Sequence, residues 1–262
     1  MNGITDTHAH ICDPVFDSDR DIVLKRAQQV GIGSIITVGE NLHDAEKNLA
    51  LAERHPGLRP AAGLFPTNLD LEQAREVRNF IQRHPNKIIA IGEVGLDYWK
   101  VQQESDREVQ REILREFIVL SRKMGLPLNI HSRSAGRHAI AFLLQHSAEK
   151  VQLHAFDGKP SYAAAAVEAG YFFSIPPSIV RSGQKQKLVK RLPLANLLIE
   201  TDSPVLGPAP GERNEPANAI IVSRAIAELK NIREEEVVEA ITENTFRLYG
   251  WEDNHHDRGI NT

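Results

Sequence analysis

The sequence predicts an α/β fold: a single (β/α)8 TIM barrel with an additional C-terminal helix, formed by residues 1–262. Eight apolar, strand-like runs alternate with helical segments, and eight such units are the number that closes into a parallel barrel. Ionisable residues lie near the far ends of several runs, and a barrel brings those ends together on one face. A doubly wound open sheet is the alternative, but it would separate the same residues too widely for one site.

The strands are predicted from short apolar and β-branched runs. They cover residues 4–11, 34–39, 58–65, 87–94, 127–132, 150–156, 171–176 and 197–202. The helices are predicted from apolar residues at three- and four-residue spacing between those runs. They cover residues 17–31, 41–55, 70–84, 105–125, 136–146, 161–169, 184–191, 216–229 and 233–248.

Local signals set the ends of two helices. Ser105 is predicted to cap the longest helix, and Gly125 is predicted to end it. The last helix carries Glu234, Glu235 and Glu236 in its first turn, where the helix dipole favours acidic side chains.

The composition excludes several classes of protein. The 262 residues are 41% hydrophobic and 25% charged, which is ordinary for a globular chain, and the net charge of −4 gives no overall basic field for nucleic acid. Cys12 is the single cysteine, so an internal disulfide is excluded. We find no signal peptide and no apolar stretch of about 18 residues. We therefore expect a cytoplasmic monomer with no membrane partner, whose core covers residues 4–249 and whose polar tail covers 250–262.

Six titratable residues lie inside or at the end of apolar runs. They are His8, His10, Glu93, His131, His154 and Asp202. Burying such groups is costly unless they are paired or bound to metal. Side chains two residues apart on a strand point to the same face, so the His-x-His pair can bind one ion. The set therefore predicts a metal centre.

Four imidazoles and two carboxylates are too many for one tetrahedral ion with an open position, but they suit two ions about 3.5–4 Å apart. We assign His8, His10 and Asp202 to one ion and His131 and His154 to the other, with Glu93 bridging both. The identity of the metal is left open among Zn, Mn, Mg, Co and Fe. Glu93 and Asp202 are the predicted catalytic residues, with Asp202 accepting the proton of a metal-activated water.

Other residues have both a structural and a functional interpretation. Arg133, two residues after His131, is either a surface cation or a phosphate ligand, and its position favours the ligand. Arg213 and Asn214 are candidates for substrate binding, although the segment around them also suits a plain turn. A basic stretch is most simply a solvated helix face, with a nucleic-acid rim as the alternative. It comprises Arg181, Lys185, Lys187, Lys190 and Arg191.

The chain resembles the TatD family of metal-dependent deoxyribonucleases, within the amidohydrolase-like barrels, over about residues 4–249. The motifs that carry the resemblance are TDTHAHI, IGEVGLDYW, LNIHSR, LHAFDG and ETDSPVLGPAPGERNEP. HSRSAGR and YFFSIPPSIVRSGQ are closest to the branch found in eukaryotes. The resemblance implies a (β/α)8 barrel, two divalent metal ions and hydrolysis of DNA, as a 3′ exonuclease or at abasic sites. It also supports Arg133, Arg213 and Asn214 as substrate-binding residues.

Two positions depart from the family pattern. The family usually has Gly-x-His-Pro after the third strand, where this chain has Phe65 before Pro66. It usually has His-Cys-Phe-Ser-Gly after the sixth strand, where this chain has Asp157 in place of the serine. Both changes bear on how a polyanionic substrate would be held, and neither replaces a predicted ligand.

The leading hypothesis is a two-metal hydrolase that cleaves phosphodiester bonds of single-stranded or damaged duplex DNA. The alternative is hydrolysis of an acyl ester or amide at the same centre, such as an aminoacyl-tRNA ester, which the two departures and the lack of net positive charge favour. A barrel that only binds is a third hypothesis, and the complete ligand set argues against it.

Overall fold

The structure is a computed structural model that describes residues 3–250. Eight parallel strands occur in the order β1 to β8, each hydrogen-bonded to the next along the chain. The strands are β1 (Ile4–Ala9), β2 (Ile32–Thr37), β3 (Leu58–Ala62), β4 (Ala90–Gly95), β5 (Leu128–His131), β6 (Val151–Leu153), β7 (Phe172–Ile175) and β8 (Leu197–Ile199). The predicted (β/α)8 barrel is confirmed.

The helices follow the strands and cover the outside of the sheet. They are α1 (Arg20–Gln29), α2 (Leu42–Arg54), α3 (Leu71–Arg83), α4 (Glu104–Met124), α5 (Gly136–Gln145), α6 (Ala164–Glu168), α7 (Gly183–Arg191), α8 (Ala219–Lys230) and α9 (Glu234–Tyr249). The extra C-terminal helix is α9, as predicted. No helix among residues 3–250 combines the length and apolarity that a bilayer crossing requires.

Hydrogen bonds between β1 and the chain after β8 bring the two ends of the sheet together. The backbone N–H of Asp202 donates to the carbonyl of His8 at 2.8 Å, and that of His10 donates to Ser203 at 2.8 Å. Below them, the Thr7 hydroxyl donates to the carbonyl of Ile199 at 2.9 Å. The contacts that close the barrel are therefore made by the same segments that carry three of the predicted ligands.

Side-chain caps explain several helix starts. The Asp70 carboxylate accepts from the N–H groups of Glu72 and Gln73 at the start of α3, and Asn41 accepts from Asp44 at the start of α2. The predicted Ser105 cap is wrong, since α4 begins at Glu104 and Ser105 lies in its first turn.

The predicted helix over 161–169 is shorter than expected. A 3-10 turn, Pro160–Ala163, comes first, and α6 covers only Ala164–Glu168. Proline is accommodated in the first turn, where its missing N–H needs no partner, and tight turns of this kind are common at helix starts. Residues 251–262 of the predicted polar tail lie outside the described part of the chain, and one domain over 1–262 stays a prediction.

Backbone segments approach closely around the end of β4. Gly95 has φ +151°, and a Cβ at this position would lie 2.0 Å from the carbonyl oxygen of His131 on β5. That oxygen also accepts the N–H of Leu96 at 3.0 Å. Only glycine allows β4 and β5 to come this close beside the candidate ligands.

We expect Gly95→Ala to lower the free energy of unfolding by at least about 2 kcal/mol, because the added methyl group clashes with backbone that has no room to move. The measurement is urea unfolding followed by circular dichroism. Gly183→Ala is the matched control: among residues 3–250, its added Cβ meets no atom within 4 Å apart from its chain neighbours and the backbone of its own helix, and we expect a change below about 1 kcal/mol. Equal stability of the two variants would contradict the packing described for β4 and β5.

The hydroxyl of Tyr171, just before β7, gives a pH dependence of stability. It is buried and donates to the carbonyl of Ala148 at 2.8 Å, and burial raises its pKa from 10.0 to about 12. Between these values the unfolded chain releases the proton and the folded chain keeps it, so stability falls as the pH rises. Between pH 10 and 12, we expect the free energy of unfolding of Tyr171→Phe to fall by less than that of wild type. The difference between the two losses is up to about 2 kcal/mol. Urea unfolding measures both free energies. An equal loss in wild type and Tyr171→Phe would contradict this role of the Tyr171 hydroxyl.

Candidate metal centre

The His-x-His pair of β1 points into the barrel mouth. His8 lies within β1 and is fully buried, and His10 follows the strand with 13% of its side chain exposed. Their Nε2 atoms are 3.3 Å apart. Nδ1 of His8 contacts the Asn129 amide oxygen at 2.8 Å, which leaves Nε2 facing the site. Burial and the nearby His154 lower the pKa of His8 to about 3, so this imidazole is neutral and keeps a lone pair.

Glu93, on β4, lies between two histidine pairs and is 2% exposed. Its Oε1 is 2.5 Å from Nδ1 of His131 and 2.8 Å from Nε2 of His154. Its Oε2 faces the other pair, at 3.4 Å from Nε2 of His10 and 3.7 Å from that of His8. Each carboxylate oxygen therefore faces one of the two pairs.

Asp202 follows β8 and faces the β1 pair. Its Oδ1 is 3.5 Å from Nε2 of both His8 and His10. Its backbone has φ +54°, a left-handed conformation that aspartate tolerates better than most residues. The bond from its N–H to the His8 carbonyl holds this turn against β1. The structure thus brings all six predicted ligands together.

These side chains fit divalent metal ions. Within the described residues, three groups of three have ligand atoms within 4.8 Å of one another. They are His8 with His10 and Glu93, Glu93 with His131 and His154, and His8 with His154 and Asp202. Imidazole nitrogen and carboxylate oxygen without thiolate are typical of catalytic sites for zinc and similar ions.

The charges of the site stabilise one another. Burial opposes ionisation of Glu93, but His154 and His131 outweigh it and hold the pKa of Glu93 well below its usual range. Burial opposes a charged His10 too, yet its hydrogen bond to Asp202 and the charge of Glu93 raise the pKa of His10 to about 9. The pKa of Asp202 is lowered despite burial, chiefly by His10. Both carboxylates are therefore ionised at neutral pH and suited to bind cations.

Two further buried acids support the ligands, and neither is among the predicted site residues. The Asp97 carboxylate contacts Nε2 of His131 at 3.1 Å. Glu200 accepts from the N–H of Ala155 at 2.8 Å and from the Ser174 hydroxyl at 2.6 Å, which holds the segment after β6. Burial raises the pKa of Glu200 to about 7.

A sequence signal existed for part of this supporting layer, although not for Asp97. Asp6, Asn129 and Glu200 each precede a predicted ligand by two residues on the same strand run, so they lie on the same side of the sheet. Asp6 is fully buried and accepts from the N–H of Thr201 at 2.8 Å. A polar residue two positions before a ligand is the pattern that would have identified these three residues.

Arg133 lies on the rim, in the loop after β5. Its guanidinium is 3.7 Å from the centre of the Trp99 ring, and the amine of Lys100 lies 4.7 Å from the same ring. One cleft is lined by Arg133, Phe65 and Asp97. Because Asp97 contacts the candidate ligand His131, this cleft places Arg133 beside the centre.

Arg213 and Asn214 have protein partners. Arg213 forms an ion pair with Asp19, and its side chain is 32% exposed. Asn214 is 1% exposed, and its amide donates to the carbonyls of Thr201 at 2.7 Å and Val205 at 2.8 Å. Both amide N–H groups of Asn214 are thus used to hold the turn around Asp202. In this conformation they are not free to make the predicted contact with substrate.

The basic stretch is not a uniformly solvated face. Lys185 of α7 is 7% exposed and donates to the carbonyl of Ala155 at 3.1 Å. Arg181 donates to the carbonyl of Gly207 at 3.2 Å. These two cations connect the loops after β6, β7 and β8. The spacing of charges along a helix does not reveal such contacts.

The two departures from the family pattern have different surroundings. The Phe65 ring packs edge-on against His131, with ring centres 4.9 Å apart. Asp157 is exposed, and its carboxylate accepts the N–H of Ser134 at 2.9 Å. Asp157 therefore joins two loops at the rim, whereas Phe65 contacts a candidate ligand directly.

Known proteins resemble this chain over almost its whole length. The family model described as TatD related DNase matches residues 5–250. The human deoxyribonuclease TATDN3 is 45% identical over 262 residues, covering 94% of each chain. The Bacillus subtilis metal-dependent hydrolase YabD is 33% identical, covering 93% of this chain and 98% of that protein.

Solved structures give the same result for the fold. The crystal structure of YjjV, a TatD homologue from Escherichia coli K12, has a TM-score of 0.88 and 30% identity, and covers 95% of this chain and 98% of that one. A TatD family hydrolase from Entamoeba histolytica has a TM-score of 0.85 at 23% identity, covering 95% and 98% of the two chains. The chain therefore belongs to the TatD-related DNase family, and the two relatives compared above are named a deoxyribonuclease and a metal-dependent hydrolase.

Proposed function

We propose that this protein is a metal-dependent deoxyribonuclease that uses two divalent ions to cleave phosphodiester bonds of DNA, as a 3′ exonuclease, at abasic sites, or both. The observation that carries the two-ion proposal is the position of Glu93, whose two oxygens face different histidine pairs. The human relative is named a deoxyribonuclease, which supports DNA as the substrate. A cytoplasmic location and a monomeric state stay predictions.

In this proposal His8, His10 and Asp202 would hold one ion, His131 and His154 would hold the other, and Glu93 would contribute to both. Asp202 also groups with His8 and His154, so its carboxylate lies near a member of each histidine pair. Bound divalent ions would supply positive charge that activates water and stabilises the charge developing on a phosphate.

The protein side chains would do the remaining work. Asp202, held as a carboxylate, would accept the proton of the attacking water. Arg133 would bind a phosphate oxygen through its planar guanidinium. Asn214 would act as a positioning residue, because its amide holds the backbone on both sides of Asp202. Arg213, anchored by Asp19, would shape the loop beside it, and its contact with substrate stays a prediction.

We expect Glu93→Gln and Asp202→Asn each to reduce DNA cleavage by more than about 100-fold, since each removes charge that a cation and a proton transfer both require. The measurement is a gel assay with end-labelled single-stranded, duplex and abasic DNA and Mg²⁺, Mn²⁺ or Zn²⁺. Matched controls are Glu243→Gln and Asp21→Asn, which change exposed acids on α9 and α1 and should leave the rate within about twofold.

Wild-type protein that binds metal but leaves every DNA intact would refute the nuclease proposal. The same protein hydrolysing an aminoacyl-tRNA ester, with the activity lost in Glu93→Gln, would establish the acyl hydrolase instead. The length pattern of the products distinguishes stepwise removal from one end from a cut at the abasic position.

We expect Asp97→Asn to weaken metal binding about 10- to 100-fold, because the Asp97 carboxylate orients His131 through its Nε2 atom. Competition with a chromophoric chelator measures the affinity directly, without any substrate. Asp21→Asn serves again as the control. Unchanged affinity in Asp97→Asn would show that His131 does not depend on this partner.

A further inference from the structure

A cleft of about 530 Å³ opens beside the candidate metal centre. Its lining includes Phe65, Asp97, Lys100, Gln102 and Arg133. This volume is within the range of about 300–1,000 Å³ that small-ligand sites occupy. The cleft borders the centre, because two of its lining residues, Phe65 and Asp97, contact His131.

The cleft carries two cations without acidic partners. Among residues 3–250, neither Arg133 nor Lys100 forms an ion pair, and both lie over the exposed ring of Trp99. The Asp97 carboxylate accepts the N–H groups of Trp99 at 2.9 Å and Lys100 at 2.7 Å. The acid that orients a candidate ligand therefore also orders the loop that carries Lys100 and the Trp99 ring, on which Arg133 packs.

Phe65 provides a flat apolar wall to the same cleft. Its backbone N–H is anchored to the carbonyl of Glu40 at 2.8 Å, and its ring is only partly buried. Gln102 and Gln103 add exposed amides, which can donate to and accept from the polar edge of a base. Among the described residues, Asp106 is the one acid besides Asp97 that lines the cleft.

Resting on the proposed function, we propose that this cleft binds the nucleotide next to the scissile phosphodiester in a single strand. Its base stacks on Phe65, and its phosphate is held by Arg133 and Lys100. An aromatic wall beside cations is how proteins bind unpaired nucleotides without strong sequence preference. A base within a duplex keeps its faces stacked on its neighbours, so the subsite requires an unstacked one.

The test compares two fluorescein-labelled strands with equal charge on the metal-loaded protein. One is a five-nucleotide oligothymidylate, and the other is a strand of five tetrahydrofuran abasic units. Both carry phosphorothioate linkages that resist cleavage. Fluorescence anisotropy gives the affinity of each, and the ratio isolates the contribution of the bases.

We expect wild type to bind the thymidylate strand about 5- to 150-fold more tightly than the abasic strand. Phe65→Ala should bring this ratio close to one, and Phe65→Tyr should preserve it. Phe246→Ala, which removes an exposed phenyl ring on α9, is the matched control and should behave as wild type. Arg133→Ala and Lys100→Ala should weaken both strands equally and make the salt dependence shallower.

Equal affinity of wild type for the two strands, binding of neither, or equal weakening of both by Phe65→Ala would overturn the subsite. The last result would mean that the ring only supports His131. The cleavage assay separates this outcome from failure of the proposed function. Cleavage without base-dependent binding rejects the subsite alone, whereas base-dependent binding without cleavage rejects the nuclease alone.

Discussion

The buried carboxylate of Glu93 is the constraint on which the rest of the structure depends. An ionised acid that is 2% exposed is strongly destabilising unless cations or hydrogen-bond donors surround it on every side. The histidine pairs provide those neighbours, and they come from β1, β5 and the residue after β6. Because the carboxyl ends of parallel barrel strands converge on one face, this fold can bring donors from distant parts of the chain to a single acid.

A layer of polar side chains around the ligands stabilises their orientation. Asn129 fixes the ring of His8, Asp97 contacts His131, and Glu200 holds the segment that follows His154. Such partners set which ring nitrogen faces a metal and raise the basicity of the ligand. The layer thus links the stability of the barrel interior to the chemistry at its mouth, and small changes of backbone position near Gly95 would affect both.

The distribution of charge around the mouth explains how an acidic protein could act on a polyanion. The net charge of −4 provides no long-range attraction for DNA. Arg213 and Arg181 are already used in contacts with the protein, while Arg133 and Lys100 keep their charge available at one cleft. Affinity in our proposal therefore comes from local cations, bound metal and stacking on Phe65, all within a short distance of Glu93.

The sequence by itself determined the barrel and the six candidate ligands, because both depend on periodic patterns: alternating strand and helix runs, and titratable residues at strand ends. It misplaced the start of α4 at Ser105, since capping depends on the local backbone path. Only the tertiary structure decided the roles of Asp97, Lys185 and Asn214. Their partners lie on other loops of the barrel, and a contact between segments distant in sequence leaves no periodic signal in one chain.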